Sequence, residues 1–223
     1  MTAPVHSAAD LEQIYKTRFG ASEGYRRAVW RVLAAELFAK WIAADSTILD
    51  LGSGYCEFIN QITARRKYAM DLNPATRRHA GGDVEVVTQD CSDPWHVPCV
   101  LDAVFTSNFF EHLPDKAALE RTIHNAFRAL RSGGRLIALG PNIRYTGTAY
   151  WDFYDHYVAL SDLSLIEVLR KCGFGIEYAR ARSLPYTMAD GRRYPLWVLR
   201  TYLRLPVMWR IFGKQFLIVA RKP

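Results

Sequence analysis

ILDLGSGYCEFIN, residues 48–60, is the stretch that decides the fold. A short apolar run ends in an acid, and Gly52 and Gly54 follow it directly. A strand that leads through a glycine turn into a helix begins many nucleotide-binding α/β units, because glycine lets a ligand approach the backbone closely. Dinucleotide-binding loops carry a third glycine, which would fall at Glu57 here. The stretch therefore predicts a ligand-binding loop and leaves the ligand open.

Strand-like and helix-like patterns alternate along the rest of the chain. Apolar residues recur at spacings of three and four over residues 9–43, which predicts N-terminal helices. Further helices are predicted after the first strand, after the fourth strand and before the sixth. The seven predicted strands are STILDLG, KYAMDLNP, VEVVTQD, LDAVFTSNFF, RLIALGPN, GIEYARARSL and GKQFLIVARKP. This alternation predicts an α/β fold with a mostly parallel, doubly wound sheet.

The composition indicates a soluble globular protein, with half of its residues hydrophobic and 23% charged. No apolar run is long enough for a transmembrane helix, and the N-terminus lacks the pattern of a secretory signal. The four cysteines form no C-x-x-C pair, so neither a zinc site nor a disulfide framework is predicted, and no metal is expected. Free thiols are typical of the cytoplasm.

The net charge of +7 is concentrated at the end of the chain. Eight of the 29 basic residues but one of the 22 acidic residues lie between Ser183 and the C-terminus. Residues 192–214 also carry Trp, Tyr and Leu. Such a segment predicts a lid over the site, with a lipid surface or a dimer partner as alternative contacts. A basic tail on a neutral body does not favour nucleic acid as the partner.

Three acidic residues close the first three predicted strands. Asp50 precedes the first glycine, which gives the pattern D-x-G-x-G. Asp71 ends the second strand, where an acid typically accepts hydrogen bonds from ribose hydroxyls. Asp90 ends the third strand, where it can accept from an adenine amino group. Because the carboxylate of Glu57 would repel a pyrophosphate, the set favours an adenosine ligand that lacks one over NAD or FAD.

These motifs resemble those of the class I S-adenosylmethionine-dependent methyltransferases. DLGSG matches the family's glycine-rich first motif, Asp71 its ribose acid, Asp90 its adenine-site acid and LRSGG the turn before its fifth strand. The resemblance covers residues 45–182 and implies a Rossmann-like sheet of seven strands. FLIVARKP fits the seventh strand, which is antiparallel in the family. Cys56 departs from the pattern, since the family often carries its third glycine there.

The resemblance implies S-adenosylmethionine as the cofactor and S-adenosylhomocysteine as its product. The residues implied to bind the cofactor are Asp50, Gly52, Gly54, Asp71, Leu72, Asp90, Cys91 and Asn108. One methyltransferase domain is expected over residues 1–223. It comprises an N-terminal helical cap (1–44), a cofactor-binding core (45–182), a basic aromatic lid or insertion (183–215) and the last strand (216–223). The alternative is a βαβ unit with tight glycine turns and no ligand.

The segment SNFFEHLPD, after the fourth strand, is expected to border the reacting atoms. The resemblance implies that Asn108 lies near the methionine end of the cofactor. Phe109 or Phe110 can face the sulfonium, because aromatic rings attract cations, or can pack in the core. We interpret His112 mainly as a structural residue at a helix start, and secondarily as a catalytic one.

The segment after the fifth strand, PNIRYTGTAYWDFYDHYVALS, is unusually aromatic for a surface loop. Its rings and carboxylates suit a hydroxylated acceptor such as a sugar, or an aromatic one. His156 is the first candidate for the general base, since imidazole titrates near neutrality, and Asp152 or Asp155 can orient it. The alternative is that these residues anchor the loop by hydrogen bonds. The residues expected to bind the acceptor are Arg144, Tyr150, Trp151 and Tyr154.

The sequence therefore predicts a cytoplasmic enzyme that transfers a methyl group from S-adenosylmethionine to a hydroxyl of a glycan or small metabolite. One alternative is an aromatic, quinone-like or lipid-linked acceptor, with methylation at carbon. A second alternative is a noncatalytic cofactor-binding protein. The basic segment leaves membrane-peripheral contact with a lipid-linked substrate open.

Overall fold

The computed structural model of the protein describes Gln13 and residues 23–97, 100–186 and 193–223. One sheet of seven strands runs through it, in the order β3-β2-β1-β4-β5-β7-β6. β1 to β5 run parallel, and β7 is antiparallel to both of its neighbours, β5 and β6. The strands are β1 (Thr47–Leu51), β2 (Arg66–Met70), β3 (Val84–Val87), β4 (Leu101–Ser107), β5 (Leu130–Pro141), β6 (Gly175–Arg180) and β7 (Gln215–Arg221).

This sheet confirms the predicted fold: Rossmann-like, doubly wound and mostly parallel, with an antiparallel last strand. The strand order reverses between β1 and β4, which are neighbours at the centre of the sheet. Ligands of doubly wound sheets bind outside the carboxyl ends of the strands at such a switch point. The glycine turn after β1 and the loops after β4 and β5 therefore lie at the edge where a site is expected.

Seven α-helices are present in the described part of the chain. They are α1 (Glu23–Leu33), α2 (Thr76–His79), α3 (Lys116–Ala129), α4 (Ile143–Thr146), α5 (Asp162–Lys171), α6 (Leu196–Arg204) and α7 (Pro206–Phe212). A π-helical turn (Ala34–Phe38) and a 3₁₀ turn (Ala39–Trp41) continue α1, and further 3₁₀ turns span Phe110–His112 and Gly147–Asp152. The 3₁₀ turn Phe110–His112 comes shortly after β4, which places it at the switch-point edge.

Each face of the sheet carries its own apolar core. Leu49 and Leu51 of β1 pack into one core, and Ile48 packs into the other. Successive side chains of a strand point to opposite faces, so a strand covered on both sides needs apolar residues at every position. This explains why ILDL is a continuous apolar run apart from its terminal acid.

The predicted helix after β1 is not formed. Residues 52–62 instead make a series of turns, in which Asn60 and Ile62 donate to the carbonyl oxygens of Cys56 and Phe58 at 3.1 and 3.2 Å. Cys56, near the start of this segment, has a left-handed backbone, which prevents a regular helix from beginning there. Of the N-terminal cap, Gln13 and the residues from Glu23 onward are described; residues 1–12, 14–22, 98–99 and 187–192 lie outside the described residues.

The basic segment packs against the N-terminal helices. The hydroxyl of Tyr25 on α1 donates to the carbonyl oxygen of Tyr194 and accepts from its N–H, both at 3.0 Å. Arg200 on α6 donates to Glu36 in the π-helical turn at 2.9 Å. α6 is thus docked on the N-terminal cap, and its action as a lid stays a prediction.

Cys56 occupies the family's third-glycine position and adopts a glycine-like backbone. Its φ is +56°, in the left-handed region that residues with a side chain rarely adopt. The side chain is fully buried, with Sγ 3.8 Å from the carbonyl oxygen of Thr76, and burial raises the pKa of the thiol to about 12. The turn therefore keeps the conformation that a glycine would provide, at a cost in backbone strain.

Replacing Cys56 by glycine should give a more stable protein than replacing it by alanine. Both changes remove the buried thiol, but alanine keeps a Cβ in the left-handed region, which costs about 1 kcal/mol relative to glycine. Cys172, buried at the end of α5 with φ −81°, is the matched control, and alanine should be the better replacement there. Midpoints of urea unfolding measure both differences. A Cys56→Ala protein more stable than Cys56→Gly would contradict the assigned strain.

Candidate active site

The glycine turn is tied to β2 through its backbone. The N–H groups of Gly52 and Ser53 donate to the carbonyl oxygen of Met70 at 2.9 and 3.2 Å. Gly52 has φ +69°, and a Cβ placed on it would lie 2.2 Å from Cγ of Phe109. Only glycine fits this position, both for its backbone and for the ring that lies against it.

Asp71 joins the end of β2 to the same turn. One carboxylate oxygen accepts from the N–H of Gly54 at 2.7 Å, and the other accepts from the N–H of Asn73 at 2.8 Å. Burial raises the pKa of this carboxyl, and the two backbone hydrogen bonds oppose the rise. Because each carboxylate oxygen can accept a second bond, Asp71 can still accept from a ligand hydroxyl at this edge.

Asp50 lies in the interior instead of facing the turn's open side. Its side chain is 3% exposed, and the N–H of Ile59 is among the groups that stabilise its charge. Burial and the charge of Asp71 raise its pKa well above the usual range. In this position the carboxylate braces the turns that follow β1, and the cofactor-binding role of Asp50 stays a prediction.

Glu57, the residue that replaces the third glycine of dinucleotide loops, forms an ion pair with Arg26 of α1. Both side chains are about nine-tenths buried. Burial raises the pKa of Glu57, and the Arg26 guanidinium opposes that rise. The pair fastens the N-terminal helix to the cofactor loop. No signal in the sequence pointed to Arg26 as the partner.

Asp90 and Cys91 follow β3 and differ in what they can offer. Asp90 is half-buried and accepts from the N–H of Ser92 at 2.8 Å. Cys91 is buried, its thiol lies 3.4 Å from the hydroxyl of Thr122, and burial raises its pKa to about 12. The Cys91 side chain thus faces the core, and a cofactor contact of this residue stays a prediction. Leu72, by contrast, is 39% exposed.

The loop after β4 separates its two phenylalanines. Asn108 is exposed, has φ +48°, and donates its N–H to the carbonyl oxygen of Leu139 at 2.9 Å. Phe109 then lies against Gly52, and Phe110 is buried in the core. Of the two roles left open for these rings, Phe110 takes the structural one and Phe109 borders the cofactor loop.

A group of titratable residues forms where the loops after β4 and β5 meet. The N–H groups of Tyr157 and Val158 donate to the carbonyl oxygen of Glu111 at 2.8 and 3.1 Å, which joins the two loops. Nδ1 of His112 lies 2.9 Å from the carbonyl oxygen of Asp155 and 3.2 Å from its carboxylate. The rings of His112 and His156 are 4.9 Å apart. We call Glu111, His112, Asp155 and His156 the acid–histidine cluster.

Burial and mutual charge set the electrostatics of the cluster. Burial raises the pKa of Glu111 to about 7, against the opposing charge of His112. For His112, burial lowers the pKa, but the hydrogen bond to Asp155 and the charge of Glu111 outweigh it and leave the pKa raised. Sequence reasoning selected the other three members and missed Glu111, for which adjacency to His112 was the only sign.

The residues predicted to bind the acceptor occupy three kinds of environment. Tyr150 is fully buried, with its hydroxyl donating to Val158 at 2.6 Å and accepting from Leu160 at 3.2 Å, so it supports the loop and the expectation of an acceptor contact is corrected. Trp151 and Tyr154 are 52% and 88% exposed. Arg144 is exposed, and its guanidinium pairs with Asp162 at 3.0 Å.

Comparisons with known proteins agree with this geometry. Residues 49–138 match the model of a family described as a methyltransferase domain. The sarcosine/dimethylglycine N-methyltransferase of Halorhodospira halochloris is 27% identical in an alignment of length 132 that covers 54% of this chain and 45% of that protein. The aligned part of this chain thus spans less than half the length of that curated relative.

Two solved structures share the fold over nearly the whole chain. An S-adenosylmethionine-dependent methyltransferase from Archaeoglobus fulgidus has a TM-score of 0.64 at 22% identity and covers 92% of this chain and 99% of its own. The N-methyltransferase NodS from Bradyrhizobium japonicum, solved with S-adenosylhomocysteine, has a TM-score of 0.59 at 11% identity and covers 97% and 98%. Over residues 49–138 the chain thus resembles a methyltransferase domain, and its fold is the one found in these S-adenosylmethionine-dependent methyltransferases.

S-adenosylmethionine is the cofactor that these likenesses imply, and the residues at the switch point fit it. Gly52 and Gly54 give the turn no side chains of its own, and Asp71 and Asp90 offer carboxylate oxygens for hydroxyl and amino groups. Glu57, held by Arg26 next to the turn, puts a side chain where dinucleotide-binding loops carry their third glycine. When bound, the cofactor supplies an electrophilic methyl group on a sulfonium.

Asp71→Asn should weaken the binding of S-adenosylhomocysteine at least tenfold. Loss of the carboxylate removes a charged hydrogen-bond acceptor for the ribose, a bond worth about 1.5–3 kcal/mol. Asp83→Asn is the matched control, because Asp83 is an exposed acid outside the glycine turn and pairs with Lys67. Isothermal titration of both variants measures the dissociation constants, and thermal unfolding checks that each is folded. Wild-type affinity in Asp71→Asn would refute the ribose assignment.

Proposed function

We propose that the protein transfers the methyl group of S-adenosylmethionine to a hydroxyl of a glycan or small metabolite. The observation that carries this proposal is the acid–histidine cluster beside the cofactor loop. An oxygen nucleophile must lose its proton as the bond to carbon forms, and a positioned imidazole or carboxylate contributes about 10²–10⁴-fold to such a step. In the transfer, the S–CH₃ bond breaks, the O–CH₃ bond forms, and the hydroxyl proton leaves to the cluster.

The cluster lies on the same loop as Phe109, which contacts the cofactor turn. Phe109, which lies against Gly52, is followed after two residues by His112. The charge of His112 is among the groups that oppose the burial-driven rise in the pKa of Asp71. Since β4 and β5 are adjacent parallel strands, the loops that follow them converge at this edge. The role of the chain's own residues is to hold the acceptor in line and to take its proton.

The proposed acceptor is hydroxylated because of the surface beside the cluster. Trp151 and Tyr154 present exposed rings next to the exposed carboxylate of Asp152. Aromatic faces combined with hydrogen-bond acceptors suit a sugar, which has an apolar ring face and hydroxyl donors. We assign Trp151 and Tyr154 to the acceptor on this basis.

The exposed side of α6 and α7 supports an acceptor that is presented at a lipid surface. Trp197, Val207 and Ile211 are between 58% and 67% exposed, and Arg204 and Arg210 accompany them. Apolar and basic side chains on short helices suit the interface of an anionic membrane. No described helix is long and apolar enough to cross a membrane.

A second candidate is transfer to nitrogen. It is favoured by the curated relative, which is named as a sarcosine/dimethylglycine N-methyltransferase. An amine in its neutral form attacks through its own lone pair. Transfer to such an acceptor would need the cofactor loop but would depend much less on the acid–histidine cluster.

Labelled S-adenosylmethionine separates the two candidates. The acceptors to be compared are a glycolipid in anionic vesicles, the same glycan freed of lipid, and sarcosine with dimethylglycine. We expect label as a methyl ether on the glycan, with faster transfer on vesicles, and a loss of at least a hundredfold in His156→Asn. His96→Asn is the matched control, because His96 is an exposed imidazole remote from the cluster in sequence. Label in the amines that is unchanged by His156→Asn would establish the second candidate instead.

A further inference from the structure

We propose that Glu111, His112 and His156 bind one divalent transition-metal ion. One carboxylate and two imidazoles converge from the loops after β4 and β5, and their potential ligand atoms all lie within 4.8 Å of one another. Among the described residues this is the one cluster of metal-ligating side chains with that spacing. The absence of paired cysteines led the sequence to predict no metal, but none of these ligands is a cysteine.

The donor set has the composition of a known class of site. Two histidines and one carboxylate hold zinc in hydrolases and iron(II) in oxygenases, and they leave further coordination positions open. Metal–ligand bonds of about 2.0–2.2 Å place neighbouring ligand atoms about 3–3.5 Å apart. Small side-chain rotations that move each ligand atom by about 1 Å would therefore close the cluster around an ion. Imidazole ligands favour a transition metal over Mg²⁺.

The hydrogen bond of His112 sets its ring for coordination. A carbonyl oxygen can only accept, so the 2.9 Å contact between Nδ1 and the carbonyl of Asp155 places a hydrogen on Nδ1. In the neutral ring Nε2 then carries the free lone pair. Metal-binding histidines almost always donate their other N–H to a carbonyl or a carboxylate, and Asp155 offers both. Asp155 is therefore a positioning residue.

The surroundings of the cluster favour a Glu111 carboxylate that is bound to an ion over one that is unbound. Glu111 is 2% exposed, and an interior carboxylate is costly unless it is paired or coordinates a metal. The rings of Phe153 and Tyr150 lie 5.0 and 4.8 Å from the ring of His156 and restrict its orientation. The His112 side chain remains 28% exposed, which leaves one side of the cluster open to an acceptor.

This metal site deepens the proposed function. Only the role given to the ion rests on that function, and the binding of the ion does not. An ion held here would bind the acceptor hydroxyl and lower its pKa, and the proton would then leave to the Asp155 carboxylate or to solvent, since the ligated groups are no longer free to take it. Metal binding itself needs neither cofactor nor acceptor. If the protein binds the ion but methylates no hydroxyl, the proposed function is refuted and the metal site is retained. If it methylates a hydroxyl but binds no ion, the metal site is refuted and the proposed function is retained.

Titration of the chelator-treated full chain with Zn²⁺ and with Co²⁺ tests the site. We expect one ion per chain, a rise in the midpoint of thermal unfolding on binding, and a visible Co²⁺ spectrum of imidazole ligation. Glu111→Gln and His156→Gln should each weaken binding at least tenfold, and Asp155→Asn should weaken it less. His96→Gln is the matched control, since its removal should change nothing.

Three results would overturn the site: no stoichiometric binding, equal affinity in the wild type and both ligand variants, or an equal loss in His96→Gln. Thermal unfolding of each metal-free variant confirms that it is folded. Should Glu111→Gln fail to fold, the His156→Gln affinity and its Co²⁺ spectrum decide the question alone.

Discussion

The left-handed backbone of the turn after β1 is the constraint on which the rest of the site depends. Gly52, Gly54 and Cys56 all have positive φ, so the chain leaves β1 in a tight turn with its N–H groups directed toward β2. Asp71 and the carbonyl oxygen of Met70 hold those groups. A turn fixed in this way carries no side chain of its own at Gly52 and Gly54, and the ring of Phe109 fills the space beside Gly52.

The same turn also fixes what surrounds it. The hydroxyl of Thr76, at the start of α2, donates to the carbonyl oxygen of Gly54 at 2.9 Å, which holds α2 to the loop. Glu57 attaches α1 through Arg26. Phe109 can lie against the turn only because Gly52 has no side chain, and that contact brings the loop after β4 over the cofactor edge. Two helices and the acceptor-side loop are thus positioned from one short stretch.

The sequence predicted the sheet because the needed information is local. Apolar runs, glycine turns and helix periodicity are read from neighbouring residues, and the strand-terminal acids follow from them. The helix predicted after β1 failed because Cys56 looks like an ordinary small residue, and its left-handed backbone is imposed by the surrounding turn. The pairing of Glu57 with Arg26 was also hidden, since it joins segments that only the fold brings together.

Residues of the site were predicted unevenly for the same reason. Asp71 was predicted to bind the cofactor because the end of a parallel strand lies at the edge of the sheet where ligands bind. Tyr150 and Cys91 were expected at the site from their position in the chain, but each turns into the core, and no pattern in the sequence distinguishes the two faces of an irregular loop. The acid–histidine cluster depends on two loops meeting, so its members were proposed singly and Glu111 was missed.

Thermal unfolding with two adenosine ligands tests the central claim, that the turn after β1 holds an adenosylmethionine-type cofactor and rejects a pyrophosphate. S-adenosylhomocysteine at a hundred times its dissociation constant should stabilise the protein by about 2.7 kcal/mol, and NADH at the same concentration should leave the unfolding midpoint unchanged. Stabilisation by NADH without stabilisation by S-adenosylhomocysteine would contradict the account.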